Sequence, residues 1–195
     1  MDKHFRFSAI LLAISFSMLS FTTSISASER KINMNQHWKF YHGCIANAEQ
    51  PSFNDSGWRV LDIPHDWSVE PLPVQREGIT IGPFSRMSIG GPDTGQTVGG
   101  EGWYRKELIL QPGDTDKILS LYFEGAYNQT EVWINGQKAC FNAYGYIPFR
   151  IDINKYCNAP GIPNTIAVKV INEGLNSRWY AGSGIYRHVW LIKTD

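Results

Sequence analysis

From about residue 38 onward, apolar side chains recur mostly at every second position of this chain, and Gly, Pro, Asn or Asp interrupts each run. This alternation is typical of β-strands that bury one face, whereas a helix would repeat its apolar positions about every 3.6 residues. The pattern predicts an all-β fold, an antiparallel two-sheet β-sandwich of the jelly-roll type. The candidate strands are 38–41, 58–63, 102–110, 117–123, 129–134, 137–141, 146–153, 165–171 and 185–193.

Asn135 and Gly136 lie between two of these strands, 129–134 and 137–141. Both residue types tolerate the positive φ that a two-residue type I′ turn requires. The pair therefore predicts a β-hairpin, which fixes two strands as direct neighbours in one sheet.

Composition excludes several classes of function. The 195 residues carry no formal net charge, and 18% are charged while 13% are aromatic. A neutral chain gives no electrostatic basis for binding nucleic acid or an anionic membrane, and this balance argues against disorder. No phosphate-binding Gly-rich motif and no zinc-ligand spacing occurs, so we expect neither cofactor nor metal.

Residues 1–28 resemble a secretory signal peptide. Lys3 and Arg6 precede an apolar stretch from Phe7 to about Phe21, and small residues follow near a plausible cleavage site. The alternative is a membrane anchor, but the apolar stretch is short, since a spanning helix needs about 20 residues. We expect a periplasmic or secreted protein with a single domain over 29–195.

Three cysteines, Cys44, Cys140 and Cys157, leave at least one thiol unpaired. Cys140 and Cys157 are able to pair or to remain free, and the sequence does not choose between these alternatives.

Residues 71–102 interrupt the strand pattern with eight glycines and four prolines. Such a long segment without periodicity is either a functional loop or a plain surface loop.

Two short motifs carry candidate binding residues. Asp66 and Trp67 lie in the motif Pro64-His65-Asp66-Trp67-Ser68, and Arg178 and Trp179 lie in the aromatic and Gly-rich segment 177–191. A sugar offers apolar C–H faces to an indole ring and paired hydroxyls to a guanidinium or a carboxylate. The plainer alternatives are a capped turn at Asp66 and a tight surface corner at Gly182-Ser183-Gly184.

Catalytic residues are not evident. Hydrolysis of a glycoside usually requires two carboxylic acids about 5–10 Å apart. The glutamates form no obvious pair, and His65 lacks a neighbouring nucleophile, so we expect it to be structural. The glutamates considered are Glu101, Glu107, Glu124, Glu131 and Glu173.

Taken in order, the motifs resemble the N-terminal sugar-binding domain of family 2 glycoside hydrolases, in particular exported β-galactosidase-like members. Each motif alone is weak, but the ordered set covers nearly all of residues 31–195. The matching pieces are Trp38-Lys39-Phe40, Pro64-His65-Asp66-Trp67-Ser68, Gly102-Trp103-Tyr104-Arg105-Lys106, Phe123-Glu124-Gly125-Ala126-Tyr127, Glu131-Val132-Trp133-Ile134-Asn135-Gly136, Tyr144-Gly145-Tyr146 with Phe149 and Asp152-Ile153, and Asn176-Ser177-Arg178-Trp179-Tyr180 through Trp190-Leu191.

The resemblance implies a galactose-binding-domain-like jelly roll whose loops form one side of a sugar subsite. It implies Asp66 and Arg178 as hydroxyl contacts, Trp67 and Trp179 as nearby platform residues, and the loop 71–102 as an active-site rim. The sugar expected first is a β-galactoside, with β-glucuronide and β-mannoside left open.

In that family a separate (β/α)₈ barrel carries both catalytic glutamates, and this sequence ends at Asp195, where the sandwich ends. We therefore expect a truncated form that binds sugar and does not hydrolyse glycosides alone. Two alternatives remain: a self-standing lectin-like module, and a structural domain that supports a catalytic partner.

Overall fold

The computed structural model describes residues 30–70, 80–81, 84–85, 92, 96–173 and 181–194. The expected signal peptide, Arg178, Trp179 and most of the loop 71–102 lie outside these residues. Twelve strands are present in the described part, and the remaining regular structure is short 3₁₀ turns. The strands are β1 (Lys31–Asn33), β2 (Trp38–His42), β3 (Arg59–Leu61), β4 (Thr80–Ile81), β5 (Phe84–Ser85), β6 (Gly100–Ile109), β7 (Ile118–Phe123), β8 (Gln129–Ile134), β9 (Gln137–Asn142), β10 (Phe149–Asp152), β11 (Pro163–Asn172) and β12 (Val189–Thr194); the 3₁₀ turns are Trp67–Val69, Pro112–Asp114 and Asn154–Tyr156.

The strands form two main antiparallel sheets, which confirms the predicted all-β sandwich. One sheet has the order β1-β12-β7-β10, and the other has the order β3-β2-β6-β11-β8-β9. Strands β4 and β5 form a separate two-stranded sheet within the described residues. The two longest strands, β6 and β11, pair over ten residues at the centre of the six-stranded sheet.

The hairpin at Asn135-Gly136 is confirmed. These residues have φ of 52° and 79°, and they join β8 to β9 as the sequence predicted. Two positive φ values in succession match the twist of the flanking strands, which explains why Asn-Gly closes this turn.

Alternation along the strands builds the core between the sheets. The inward residues of β11, Ile166, Val168 and Val170, are fully buried. From the other sheet, Leu119, Leu121 and Phe123 of β7 pack in the same core. Each fully buried side chain of this size contributes about 1.5–3 kcal/mol to the free energy of folding. The two-residue period that predicted the strands therefore also selects their buried face.

Several predicted boundaries were wrong. The loop 71–102 gives way to strand at Gly100, and it contains the small hairpin of β4 and β5. The last strand begins at Val189 instead of Ile185, and before it Gly184 forms an isolated bridge with Tyr127. The three-residue strand β1 was missed, since a strand that short provides too few positions to reveal a period.

The connection 43–58 between β2 and β3 packs on the outer face of the six-stranded sheet, where Ala48 contacts Trp103 and Ala167. Arg105 of β6 holds this connection. Arg105 is a buried residue, only 3% exposed. Its Nε donates to Asp55 Oδ2 at 2.8 Å, and its Nη1 donates to the carbonyl oxygens of Ala48 and of Gln50, the latter at 3.1 Å.

Asp55 lies between two cations, because Lys39 Nζ donates to Oδ1 at 2.5 Å. Burial alone would raise the pKa of Asp55, but the hydrogen bonds from Lys39 and Arg105 hold that pKa below its ordinary value. Asp55 is therefore a charged partner that compensates the buried guanidinium.

We predict that Asp55→Ala lowers the free energy of unfolding by about 3 kcal/mol, because it leaves the Arg105 charge buried without its carboxylate. Urea unfolding of the variant measures this loss. The matched control is Asp152→Ala, which removes an exposed carboxylate of β10 and is expected to change stability by less than about 0.5 kcal/mol. Equal losses in the two variants would contradict the role given to Arg105.

Candidate functional site

The segment 65–67 is fastened to the segment 183–185 through backbone hydrogen bonds. The amide of His65 donates to the carbonyl of Ile185 at 2.8 Å, and the amide of Trp67 donates to the carbonyl of Ser183 at 3.0 Å. The His-Asp-Trp motif and the Gly-Ser-Gly motif, which are distant in sequence, therefore form one structural unit.

Asp66 lies at the centre of this unit. Its Oδ1 accepts hydrogen bonds from the backbone amides of Ser68 at 2.9 Å and Ser183 at 2.7 Å. The first bond is the expected cap of a 3₁₀ turn, and the second joins Asp66 to the opposite segment. Two backbone donors on one oxygen fix the orientation of the carboxylate.

Gly182 allows a close approach to that carboxylate. A Cβ at residue 182 would lie 2.2 Å from Asp66 Oδ2, which is closer than any real contact. Gly184 has a φ of 125°, and a Cβ there would lie 2.4 Å from the hydroxyl of Tyr104. A side chain at residue 182 would collide with Asp66, and one at residue 184 would collide with Tyr104 and also require an unfavourable positive φ. The sequence had predicted only a tight corner.

A pocket of about 260 Å³ opens beside this unit. Its lining combines one carboxylate with aromatic rings and bare backbone, and consists of Asp66, Tyr127, Tyr146, Ala181, Gly182 and Tyr186. A carboxylate next to phenol rings offers a strong acceptor for hydroxyl groups together with apolar surface for C–H groups. The arrangement fits a small polyhydroxylated molecule.

The tyrosines of this pocket support one another. The rings of Tyr127 and Tyr146 are 5.1 Å apart, and the hydroxyl of Tyr186 donates to the carbonyl of Gly145 at 2.8 Å. Burial and the neighbouring Tyr146 raise the pKa of Tyr127 to about 12. Burial also raises the pKa of Tyr186. Both phenols therefore stay protonated at neutral pH and remain able to donate hydrogen bonds.

A hydrogen-bonded chain lies behind the pocket. The Nδ1 of His65 is 2.7 Å from the hydroxyl of Tyr104, and its Nε2 is 2.9 Å from Glu70 Oε1, which also binds Arg59. Burial lowers the pKa of His65, and the Glu70 carboxylate offsets only part of that effect. His65 is a neutral, satisfied residue that packs beside Asp66, in agreement with its expected structural role.

A second buried polar cluster also connects the segment around Ser68 to the segment around Ser183. The hydroxyls of Ser68 and Ser183 are 2.6 Å apart, and Asn172 Nδ2 donates to Ser183 Oγ at 2.6 Å. The Ser68 hydroxyl also lies 2.7 Å from the carbonyl oxygen of Val98. The loss of one partner would leave a buried polar group unsatisfied, which costs about 1–3 kcal/mol.

A family model described as the sugar-binding domain of glycosyl hydrolases family 2 matches residues 38–195. This chain belongs to glycosyl hydrolase family 2. A β-galactosidase of Bacteroides ovatus, BoGH2A, is 41% identical over 174 residues, which cover 89% of this chain and 19% of that protein. A putative β-glucuronidase of Formosa agariphila is 37% identical over 171 residues, which cover 87% of this chain and 15% of that protein.

Solved structures agree with this family 2 assignment. A family 2 glycosyl hydrolase from Bacteroides cellulosilyticus superimposes with a TM-score of 0.77 and 41% identity, covering 86% of this chain and 21% of that chain. A β-glycosidase from Bacteroides vulgatus gives a TM-score of 0.71 and 40% identity, covering 85% of this chain and 20% of that chain. The family 2 domain seen here thus spans about a fifth of these larger proteins.

The structure gives Asp66 and Trp67, two of the expected site residues of this family 2 domain, different environments. Asp66 lines the pocket, whereas Trp67 is only 2% exposed. The Trp67 ring stacks on Phe40 with centroids 5.9 Å apart, a Cβ at Gly102 would lie 2.5 Å from it, and its Nε1 donates to the carbonyl of Gly99. This burial corrects the expectation of a platform residue, because a sugar has no access to the ring.

Arg178 and Trp179 lie outside the described residues and stay predictions. The tyrosines of the pocket were not assigned a role from sequence, although Tyr127 and Tyr146 belong to motifs that carried the resemblance. The signal available was a pair of tyrosines around Gly145, where a Cβ would lie 2.3 Å from the Tyr127 ring.

Cys44, Cys140 and Cys157 are all free thiols, which answers the question left open by the sequence. Within the described residues, no group of three His, Cys, Asp or Glu side chains is arranged to hold a metal ion. The same residues include no helix of the length and hydrophobicity that crossing a membrane requires.

We predict that stability falls as the pH drops below 6.5 because of His65. Its pKa in the folded state lies below its ordinary value of 6.5, so the unfolded chain binds more protons in this range. The contribution is fully present above pH 6.5 and is lost progressively below it. Glu70 also has a lowered pKa, but its ordinary value is 4.5, so its effect belongs to more acidic conditions.

Urea unfolding between about pH 8 and about pH 5 tests this prediction. The variant His65→Asn should be less stable at neutral pH, and its stability should depend less on pH over this interval. An unchanged pH dependence in the variant would contradict the assignment to His65.

Proposed function

We propose that the pocket at Asp66 binds a sugar, with a β-galactoside as the first candidate, and that this domain forms one side of the active site of a larger glycosidase. The observation that carries the proposal is the Asp66 carboxylate, held by two backbone amides and lining a pocket of tyrosine rings. Membership of a family described by its sugar binding supports the same ligand class.

The lining suits the chemistry of a hexose. Charge-assisted hydrogen bonds between a carboxylate and hydroxyl groups are about twice as strong as neutral ones. The exposed ring of Tyr146 provides apolar surface for the C–H face of the sugar. Tyr127, which is only 6% exposed, packs against that ring with centroids 5.1 Å apart. Asp66 would therefore contribute most to the orientation of the bound ligand.

Binding without hydrolysis follows from the number of carboxylates. A retaining glycosidase requires two carboxyl groups about 5–5.5 Å apart, and an inverting one requires a wider pair. Among the described residues that line this pocket, Asp66 supplies the single carboxylate. We infer that the catalytic glutamates belong to the larger family protein, and that these 195 residues bind sugar without cleaving it.

We predict that Asp66→Asn weakens binding of methyl β-D-galactoside by tenfold or more, about 1.4 kcal/mol, since the charge-assisted hydrogen bonds are lost. The asparagine keeps an oxygen for the amides of Ser68 and Ser183, so the fold should survive. Gly182→Ala should weaken binding as well, because its Cβ displaces the carboxylate. Isothermal titration calorimetry measures both effects.

Asp152→Asn is the matched control, because it neutralises an exposed carboxylate of the four-stranded sheet. Unchanged affinity in Asp66→Asn would contradict the proposed site. If the unaltered chain binds neither β-galactoside, β-glucuronide nor β-mannoside, the sugar-binding proposal is wrong, and a purely structural role is favoured instead. Tight binding in isolation would favour a lectin-like module.

We further predict no release of nitrophenol from aryl β-galactoside, β-glucuronide or β-mannoside by the purified chain. Spectrophotometry over several hours provides the measurement. Turnover would contradict the inference, and it would direct attention to Glu101, Glu124 and Glu173 as catalytic candidates.

A further inference from the structure

A second pocket lies on the outer face of the six-stranded sheet and shares no lining residue with the pocket at Asp66. It has a volume of about 370 Å³. Small-molecule sites usually measure about 300–1,000 Å³, so this volume suffices for a compact ligand. The lining consists of His37, Lys39, Pro51, Phe53, Asp55, Arg105, Lys106, Glu107 and Thr165.

The register of the sheet builds the floor of this pocket. Lys39 of β2 lies directly opposite Arg105 of β6, and Glu107 of β6 lies directly opposite Thr165 of β11. Side chains at alternate positions of β6 point to the same face, so Arg105 and Glu107 are neighbours on the outer surface. The floor therefore presents charged groups and a hydroxyl at fixed spacing on rigid strands.

The wall is supplied by the connection 43–58. Phe53 packs edge-on against Trp58 with ring centroids 5.5 Å apart, and the Arg105 guanidinium lies 5.6 Å from the Phe53 ring. Since Arg105 also binds Asp55 and the carbonyl oxygens of Ala48 and Gln50, the wall is anchored to the floor. An aromatic ring is thereby held beside a polar floor.

The charges of this pocket largely compensate one another. Asp55 binds both Lys39 and Arg105. Lys106 Nζ donates to the carbonyl of Gln36 at 2.5 Å, and its charge is attracted by the nearby Asp62 carboxylate. Glu107 is exposed, and within the described ranges it makes no ion pair. Neither an anion nor a cation meets a concentrated opposite charge here, whereas hydroxyl groups meet several donors and acceptors.

We propose that this pocket is a second carbohydrate-binding site, which takes a neutral mono- or disaccharide unit. The Phe53 ring provides the apolar surface, and Glu107, Thr165 and His37 provide hydrogen-bonding groups at the rim. The site is independent of the Asp66 pocket, so it would hold a saccharide on the opposite side of the central β6 strand without contributing to hydrolysis.

Nuclear magnetic resonance on the 15N-labelled chain, titrated with β-1,4-galactobiose, tests this proposal. We expect shifts of the amide signals of Lys39, Glu107 and Thr165 that follow their own binding curve, separate from the curve of Gly182. Glu107→Gln should weaken binding at the first group of signals about tenfold and leave the Gly182 curve unchanged. Glu107 is exposed, so this variant should fold.

Asp66→Asn should have the reverse effect, and Asp152→Asn should affect neither curve. Absence of shifts around Glu107 overturns the second site whatever happens at Gly182, and shifts that Glu107→Gln leaves unchanged overturn it equally. A response of these signals to sulfate or free glucuronate, without a response to galactobiose, would replace the neutral saccharide with an anionic ligand and overturn the proposal.

Discussion

The backbone contact between the segments 65–67 and 183–185 is the constraint on which the candidate site depends. The amides of His65 and Trp67 donate to carbonyls of the opposite segment, and the amide of Ser183 donates to Asp66 Oδ1 across 117 residues of sequence. Such an approach of two backbones leaves no room for a Cβ at Gly182. The orientation of the carboxylate therefore depends on both main sheets, because 65–67 follows β3 of the six-stranded sheet and 183–185 precedes β12 of the four-stranded sheet.

Buried polar groups make this contact specific. The hydroxyl of Tyr104 meets His65, and the hydroxyl of Ser183 meets Ser68 and Asn172. A different packing of the two segments would leave these groups buried and without partners, at about 1–3 kcal/mol each. The polar clusters thus favour one arrangement of the connections, and hydrophobic burial, which is not directional, does not provide that selectivity.

The sandwich and the Asn135-Gly136 hairpin were predictable, because both rest on local patterns: alternation of side chains and two residues that tolerate positive φ. The role of Trp67 was not predictable in the same way. An indole beside a carboxylate has the same sequence signature whether the ring faces a ligand or the core, and here Phe40 and Gly102 cover it. The pocket on the outer sheet face required the register that places Lys39 opposite Arg105, which no single segment of sequence contains.

The two pockets hold polar groups in place by different means, and this difference determines how each would respond to pH. In the Asp66 pocket the carboxylate is fixed by backbone amides, and Tyr127, with a pKa of about 12, stays protonated across the neutral range. A change in sugar binding between about pH 8 and about pH 5 would therefore reflect the scaffold at His65 and not the titration of Tyr127. In the outer pocket the hydrogen bonds from Lys39 and Arg105 hold the pKa of Asp55 below its ordinary value, so Asp55 remains a charged partner of both cations over this interval.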